Sequence, residues 1–372
     1  MSALSSPVTH WDIFCSVVDN FGDIGVSWRL ARQLADEHAI NIRLWVDDID
    51  LARRFSGDGH VSVTLMHWTT ASCFPQAAEV VIETFSCGIP DSYQQVMSPQ
   101  ALWLNIDYLS AEAWVQDFHG KPSPQANGHI RYFFYPGFNE QTGGLLREQF
   151  LPALALKAAK PQAAAWQHVG LIPMAEVINI SLFCYAHAPI QALLACLASS
   201  PQPVRLIVPE SVAPLVAQAL GQEVLTPGQS SQYQQCTIAV IPFLSQIDYD
   251  LLLALCDLNF VRGEDSWIRG IWAARPMIWL PYQQSENTHL DKLAAFLQHY
   301  LAPASAEVKT ALQSLMQAWV TGEWSTQHWH TFLTHRDSLT QHAQIYAKQL
   351  AQQPDLATNV VIFIEKLRAN RV

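Results

Sequence analysis

The chain has 372 residues, of which half are hydrophobic and 14% are charged, as in a globular protein of two or three domains. It carries 21 Lys and Arg against 32 Asp and Glu, and the net charge of −11 argues against nucleic acid as the main partner, because phosphates are bound by basic faces. No run of 18 apolar residues and no signal-peptide pattern occurs, so we expect a cytoplasmic protein that does not associate with a membrane.

Short apolar runs in the first half of the chain predict β-strands. They span residues 11–18, 42–46, 61–68, 79–85 and 101–109. Several are apolar at successive positions, which is typical of strands that are covered on both faces. Between the first two runs, Val26, Leu30 and Leu34 recur at helical spacing and predict an amphipathic helix.

The middle of the chain is mixed, and the second half repeats the pattern of the first. Residues 110–150 predict a loop-rich region with a turn at 120–128, and 151–168 predict a helix or linker broken by two prolines. Strands are predicted again over residues 177–185, 203–210, 236–244, 258–263 and 276–282. Everything after residue 288 has a helical pattern.

Strands alternating with helices in two successive series predict an α/β protein with two Rossmann-like domains that face a central cleft. We place the N-terminal domain at residues 1–160 and the C-terminal domain at 170–350. Seven cysteines are present without a C-x-x-C pair, and most lie in apolar runs. They predict buried free thiols in a reducing compartment.

The stretch DNFGDIG, residues 19–25, places two carboxylates where the first strand leads into the first helix. In open α/β sheets this is the edge at which ligands bind. Asp19 and Asp23 would repel an anion there, and they would attract a cation or accept a proton. The alternative is that Asp23 only caps the helix and Asp19 only begins an Asx turn.

The stretch RGEDSWIRG, residues 262–270, is the counterpart in the second half. Asp265 and Ser266 are predicted as N-cap residues of a helix whose first amides would face an anion, and Arg262 adds a cation beside them. Glu264 is placed to bond a hydroxyl or brace a neighbour. The alternative is a capped helix with an Arg nearby by chance.

The stretch PFLSQIDYD, residues 242–250, ends another strand and begins a helix, with Ser245 and Asp248 at capping-box spacing. Phe243 and Gln246 are expected at the ligand-binding edge, where a ring and an amide suit a flat heterocycle. The alternative is a core Phe and a surface Gln. Three more aromatic residues are expected at that edge: Phe183, Tyr185 and Tyr282.

Two other patterns are weaker, and we predict no metal site from either. The acids of DDID, residues 47–50, follow a strand as metal-binding acids do in some transferases, but a solvated turn is favoured. Four histidines of the last third predict a polar helix face: His328, His330, His335 and His342. No G-x-S-x-G or P-loop occurs, which argues against the commonest hydrolases and NTPases.

Three blocks of the sequence resemble the bacterial EarP family: WDIFCSVVDNFGDIGVSWRLARQL, RLWVDD and NFVRGEDSWIRGIWAARPMIWLPYQQ. Members of that family are protein-arginine rhamnosyltransferases that modify translation elongation factor P. The resemblance implies a GT-B glycosyltransferase fold whose last helix, about residues 355–372, packs back on the first domain. It also implies an inverting transfer from dTDP-β-L-rhamnose to one arginine at a loop tip of elongation factor P, without metal or other cofactor.

The resemblance also implies roles for individual residues. The catalytic acids of the family correspond to Asp19 and Asp23, and we expect Asp23 to be the general base and Asp19 to orient the substrate. Its donor-binding glutamate, which we also count as catalytic, corresponds to Glu264, and its diphosphate contacts correspond to Asp265 and Ser266. The other residues expected at the donor are Asn20, Phe21, Gly22, Phe183, Tyr185, Phe243, Gln246, Arg262 and Tyr282.

Two other functions are compatible with the fold. A non-catalytic sensor of nucleotide sugars would bind nucleotide tightly without turnover, and it would be indifferent to Asp19 and Asp23. An NAD-dependent oxidoreductase would bind NAD, but the missing G-x-G-x-x-G argues against it.

Overall fold

The computed structural model describes residues 10–18, 21–74, 76–151 and 163–370, with the backbone alone at Phe21 and Ser285. The chain divides into two compact units. Unit 1 contains residues 1–149 and 351–372, and unit 2 contains residues 150–350.

A seven-stranded sheet forms the centre of unit 1. Its strands are β1 His10–Cys15, β2 Asn41–Val46, β3 Val63–His67, β4 Val80–Thr84, β5 Leu102–Ile106, β6 Pro122–Pro124 and β7 Ile130–Phe134. They are arranged in the order β3-β2-β1-β4-β5-β7-β6. Neighbouring strands are parallel except for β6, which is antiparallel to β7.

A six-stranded sheet forms the centre of unit 2. Its strands are β8 Ile178–Leu182, β9 Val204–Pro209, β10 Ser230–Tyr233, β11 Cys236–Ile241, β12 Leu258–Arg262 and β13 Met277–Leu280. They are arranged in the order β10-β11-β9-β8-β12-β13. The strands are parallel except for the edge strand β10, which is antiparallel to β11.

The helices lie between and after the strands. They are α1 Phe21–His38, α2 Ile49–Ser56, α3 Asp91–Gln94, α4 Val115–Phe118, α5 Ala163–His168, α6 Ile190–Ala198, α7 Ala213–Leu220, α8 Gln246–Leu255, α9 Asp265–Trp272, α10 Thr288–Tyr300, α11 Ala306–Thr321, α12 Thr326–Leu350 and α13 Leu356–Ala369. Within the described ranges, no helix combines the length and hydropathy needed to cross a bilayer.

Both sheets reverse their strand order at one point. In unit 1 the chain passes from β1 to β2 and β3 on one side and then resumes with β4 and β5 on the other. In unit 2 it passes from β8 to β9 and β11, and then resumes with β12 and β13. In such sheets, ligands bind at the carboxyl ends of the two strands that flank the reversal. These are β1 and β4 in unit 1, and β8 and β12 in unit 2.

The last helix belongs to unit 1. Leu356, Val360 and Ile364 recur every four residues along α13, so they form one face of the helix, and all three are buried. They join the core made by the sheet and by the buried stripe of α1, which includes the predicted Leu30 and Leu34. The hydrophobic core of unit 1 is therefore built from the N-terminal part of the chain and from its last helix.

The sequence prediction was wrong over part of residues 110–150. The segment interpreted as a plain turn at 120–128 contains β6, which forms a hairpin with β7. Pro122 and Pro124 concealed the strand, because proline lacks the N–H that a central strand requires. An edge strand such as β6 tolerates it.

The prediction of a polar histidine face on α12 was wrong for His342. This residue is buried, and its ring packs edge-on against Tyr300 with 4.8 Å between the centroids. Burial lowers the pKa of His342. The cysteines predicted to lie in the core at positions 15, 184 and 256 are buried and free.

Candidate functional site

Asp23 lies at the corner between β1 and α1, at the point where the strand order of unit 1 reverses. The residue is in the first turn of α1 and is only 2% exposed. Its Oδ2 accepts a hydrogen bond of 2.8 Å from the N–H of Val18. The alternative, in which Asp23 is only the N-cap, was wrong, because the helix has already begun at Phe21. Asp19 and Asn20 lie outside the described residues.

Hydrogen bonds under this corner fix α1 to the sheet. Ser27 lies one helical turn after Asp23, and its hydroxyl is 3.1 Å from that of Thr84 at the end of β4. The Thr84 hydroxyl donates to the Phe14 carbonyl in β1 at 2.9 Å. Burial raises the pKa of Cys15 to about 12, so this neighbouring thiol stays protonated and is a poor nucleophile.

Asp47 and Asp48, the first two acids of DDID, accept hydrogen bonds from other groups of unit 1. Asp47 accepts the hydroxyl of Ser16 and, at 2.9 Å, the N–H of Val17. Asp48 is the N-cap of α2 and accepts the N–H of Leu51 at 2.9 Å. Among the described residues, no group of three or more His, Cys, Asp or Glu side chains is arranged to hold a metal ion.

Arg262 lies in an aromatic environment at the reversal point of unit 2. It is the last residue of β12, and its guanidinium carbon is 4.4 Å from the ring centroid of Phe183 and 4.5 Å from that of Tyr185. Tyr185 contacts Tyr282 edge-on, with 5.6 Å between the centroids. The structure therefore brings four of the predicted residues together: two rings contact the Arg262 cation, and Tyr282 contacts one of those rings.

The helix that follows Arg262 begins differently from the prediction. Glu264, and neither Asp265 nor Ser266, is the N-cap of α9, and it makes no capping hydrogen bond through its side chain. Ser266 does not cap the helix because its hydroxyl bonds the backbone of Arg262 instead. It accepts the Arg262 N–H at 2.9 Å and donates to the Arg262 carbonyl. Ser266 can therefore offer a ligand its backbone N–H while its hydroxyl holds Arg262 in place.

The start of α8 was predicted correctly. Ser245 is its N-cap and accepts the N–H of Asp248 at 3.2 Å, while its hydroxyl donates to the Asp248 carboxylate at 2.7 Å. Gln246 follows and is 7% exposed, so the alternative of a surface Gln was wrong. Phe243 is half-buried in the preceding turn.

A buried ion pair that the sequence analysis missed joins α8 to α9. The Arg269 guanidinium donates to both carboxylate oxygens of Asp250, from Nε at 2.9 Å and from Nη2 at 2.8 Å. The two helices start beside the candidate ligand site, so the pair holds their N-termini together. The available signal was an acid at position 250, directly before the apolar run LLLALC, because an acid that is buried with such a run needs a partner of opposite charge.

Two aromatic neighbours of the site were also missed. Tyr249 contacts Phe183 edge-on at 6.0 Å between centroids, and burial raises the pKa of its hydroxyl. His187 stacks on Tyr185 at 5.7 Å. Neither has a sequence signal of its own, because a Tyr in a helix and a His in a turn are common on any surface.

The two units present opposite chemistry. Unit 1 offers the Asp23 carboxylate, which suits a cation or a proton to be removed. Unit 2 offers the Arg262 guanidinium, aromatic rings and the first amides of α9, which suit an anion attached to a flat ring.

Comparison with known proteins identifies the family of this chain. The model of one family, described as Elongation-Factor P (EF-P) rhamnosyltransferase EarP, matches residues 11–365. The chain belongs to the EarP family. As an EarP-family member it is an enzyme, a rhamnosyltransferase.

Curated relatives of this EarP-family chain are similar over nearly their whole length. The protein-arginine rhamnosyltransferase of Pseudomonas putida is 44% identical over 368 residues, which covers 95% of this chain and 98% of the relative. The protein of the same name from Shewanella oneidensis is 37% identical, with 97% and 99% covered.

Solved structures give the fold. One, described as the structural basis for EarP-mediated arginine glycosylation of translation elongation factor EF-P, is 35% identical with a TM-score of 0.72, covering 96% of this chain and 99% of its own. MurG of Acinetobacter baumannii is 13% identical with a TM-score of 0.52, covering 97% and 100%. The spinosyn rhamnosyltransferase SpnG, complexed with thymidine diphosphate, is 11% identical with a TM-score of 0.55, covering 95% and 99%. The EarP-family chain therefore has the GT-B glycosyltransferase fold.

Proposed function

We propose that this protein transfers L-rhamnose from dTDP-β-L-rhamnose to an arginine side chain of translation elongation factor P, with inversion at the anomeric carbon. The observation that carries the proposal is the Asp23 carboxylate, which is held by the Val18 amide at the reversal point of unit 1. The names of the family and of its curated relatives support the acceptor and the sugar. The bound thymidine diphosphate of SpnG shows only that a protein of this fold accepts such a nucleotide.

A carboxylate is the group that an arginine acceptor needs. A guanidinium is protonated below a pKa of about 12 and has no free lone pair, so it is a poor nucleophile. Asp23 bonds the guanidinium, directs one nitrogen at the sugar, and takes a proton from that nitrogen as the new C–N bond forms. Asp19, which lies outside the described residues, is proposed to orient the same group.

The donor is proposed to bind to unit 2. Phe183, Tyr185 and Tyr282 supply rings around the nucleotide, with Phe243 and Gln246 beside them. The bond between the anomeric carbon and the diphosphate oxygen breaks as the C–N bond forms, and dTDP leaves with the electron pair. Single displacement converts the β-linked sugar into an α-rhamnosyl arginine.

We propose that groups of the protein stabilise the negative charge on the departing diphosphate. The first amides of α9, including that of Ser266, lie at the positive end of the helix, and Arg262 adds a full charge nearby. Glu264 and Asp265 are proposed to bond the sugar and position the diphosphate. We therefore propose that transfer proceeds without a metal ion or a cofactor other than the donor.

The experiment that tests this function measures the intact mass of elongation factor P after incubation with this protein, dTDP-L-rhamnose and a metal chelator. The expected result is a gain of one deoxyhexose, which peptide mapping assigns to an arginine. Loss of the gain on chelation would contradict metal independence. No gain at all, with dTDP-rhamnose still bound in calorimetry, would contradict the acceptor and favour a nucleotide-sugar sensor.

Arg262→Ala is expected to weaken dTDP binding by roughly tenfold to a hundredfold, because a hydrogen bond to a charged group contributes about 1.5–3 kcal/mol. Arg262→Lys is expected to recover only part of the loss, since an ammonium cannot stack between Phe183 and Tyr185 as a guanidinium does. Titration calorimetry measures both, and Arg53→Ala, at an exposed position of unit 1, is the control. An unchanged dissociation constant for Arg262→Ala would remove Arg262 from the donor site.

A further inference from the structure

Two consecutive residues directly after β4 have left-handed backbone conformations. Phe85 has φ 57° and Ser86 has φ 53°, although neither is a glycine. For a bulky residue such as Phe this conformation is costly, and it persists only where the surroundings enforce it. Such strain is concentrated at functional sites.

Hydrogen bonds on both sides enforce the conformation. Asn105 of β5 accepts the Ser86 N–H at 3.0 Å and donates to the Ser86 hydroxyl at 3.0 Å. The fully buried carboxylate of Glu83 accepts the Gly88 N–H at 3.1 Å. Trp103 donates to the same carboxylate at 3.1 Å. Polar side chains of two central strands are thus used to shape one turn.

The turn holds an aromatic pair at the surface. The rings of Phe85 and Tyr108 are stacked, with 4.6 Å between centroids and 25° between planes. Phe85 packs against the core of unit 1, whereas Tyr108 is 41% exposed. Asp107 lies beside the pair, and its carboxylate accepts the Tyr108 N–H at 2.8 Å. The outer layer of the stack is therefore an exposed ring next to a carboxylate.

The pair adjoins the corner that contains Asp23. Phe85 follows β4, the direct neighbour of β1, and Tyr108 follows β5, the next strand. Strands in a sheet are spaced by about 4.8 Å, so the pair lies one and two spacings from the end of β1. Thr84, immediately before Phe85, is bonded to Ser27 one turn after Asp23.

We propose that the stacked rings of Phe85 and Tyr108 form a binding platform for the acceptor, on which the guanidinium-bearing side chain lies flat against Tyr108 while Asp23 holds its reactive nitrogen. This inference rests on the proposed function, and it assigns the residues that contact the acceptor side chain. A planar guanidinium stacks well on an aromatic face, and Asp107 supplies charge of the opposite sign at the edge. A lysine ammonium gains less from such a face, so the platform favours arginine over lysine.

The test is a comparison of Tyr108→Ala and Tyr108→Phe in steady-state transfer, with elongation factor P varied at saturating dTDP-rhamnose. Tyr108→Ala is expected to raise KM for the acceptor about tenfold, in line with a largely desolvated cation–π contact. Calorimetry is expected to show unchanged donor affinity. Tyr108→Phe keeps the ring and is expected to behave as wild type. Ile362→Ala, at a 37% exposed position on α13, is the matched control.

The outcomes separate the inference from the function. Transfer by the wild-type enzyme combined with an unchanged acceptor KM in Tyr108→Ala would overturn the platform alone. So would a loss shared by donor binding and thermal stability, because that pattern marks a purely structural role. Absence of transfer by the wild-type enzyme would overturn the proposed function, and the platform with it.

Discussion

Asp23→Asn is expected to lose transfer to elongation factor P by a factor of about 10² to 10⁴, the usual contribution of a positioned general base. The substitution is nearly isosteric, and the amide oxygen of Asn can still accept the Val18 N–H, so the corner between β1 and α1 is expected to survive. We propose that the donor binds mainly through unit 2, so donor binding is expected to be unchanged. Single-turnover mass spectrometry measures the first effect, and calorimetry with dTDP-rhamnose measures the second.

The control for this prediction is Asp50→Asn. It removes one negative charge from the same unit at a side chain that is 89% exposed, and it is expected to leave transfer unchanged. Wild-type turnover by Asp23→Asn would exclude Asp23 as the base. Loss of turnover in both variants would point to the net charge of unit 1 instead of to one carboxylate.

Asp250→Ala is expected to reduce the free energy of unfolding by about 3–5 kcal/mol, because it leaves the Arg269 guanidinium buried without its counter-charge. The two side chains are 3% and 0% exposed, so water cannot replace the lost partner. Urea denaturation followed by tryptophan fluorescence measures the change.

Two further variants test whether the loss of stability comes from the buried Arg269 charge. The double variant Asp250→Leu with Arg269→Met is expected to recover much of the stability, since a well-packed apolar pair can replace a buried ion pair. Asp50→Ala breaks the exposed pair with Arg53, in which the two oppositely charged atoms are 3.3 Å apart, and is expected to cost little. A loss below about 1 kcal/mol in Asp250→Ala would show that the Arg269 charge is solvated or otherwise compensated.

The sequence was informative wherever burial and chain order decide the structure. Central parallel strands are covered on both faces, so β1, β4, β8 and β12 are visible as apolar runs. Asp23 lies in the first turn of the helix after one such run, and Arg262 is the last residue of another; the carboxyl ends of parallel strands are where ligands bind. For these residues, sequence position alone predicts the location within each unit.

The sequence was uninformative where one specific contact outweighs the average preference of a residue type for a structural position. Ser266 is a good N-cap by type, but the backbone of Arg262 takes its hydroxyl, and Glu264 becomes the cap. Phe85 and Tyr108 look like ordinary core aromatics at strand ends, and nothing in their identity reveals a left-handed turn. Such features depend on partners far along the chain, such as Asn105 for Ser86.

Because unit 1 consists of two separate segments of the chain, it cannot be completed until the end of synthesis on the ribosome. Its core includes Leu356, Val360 and Ile364, which are translated after the whole of unit 2. Unit 2 is one continuous segment and can fold as soon as it has emerged, whereas the nascent unit 1 exposes the apolar surface that α13 will cover. The domain that is made first is therefore completed last, and a transcript or chain that stops before α13 yields a protein whose first domain lacks part of its core.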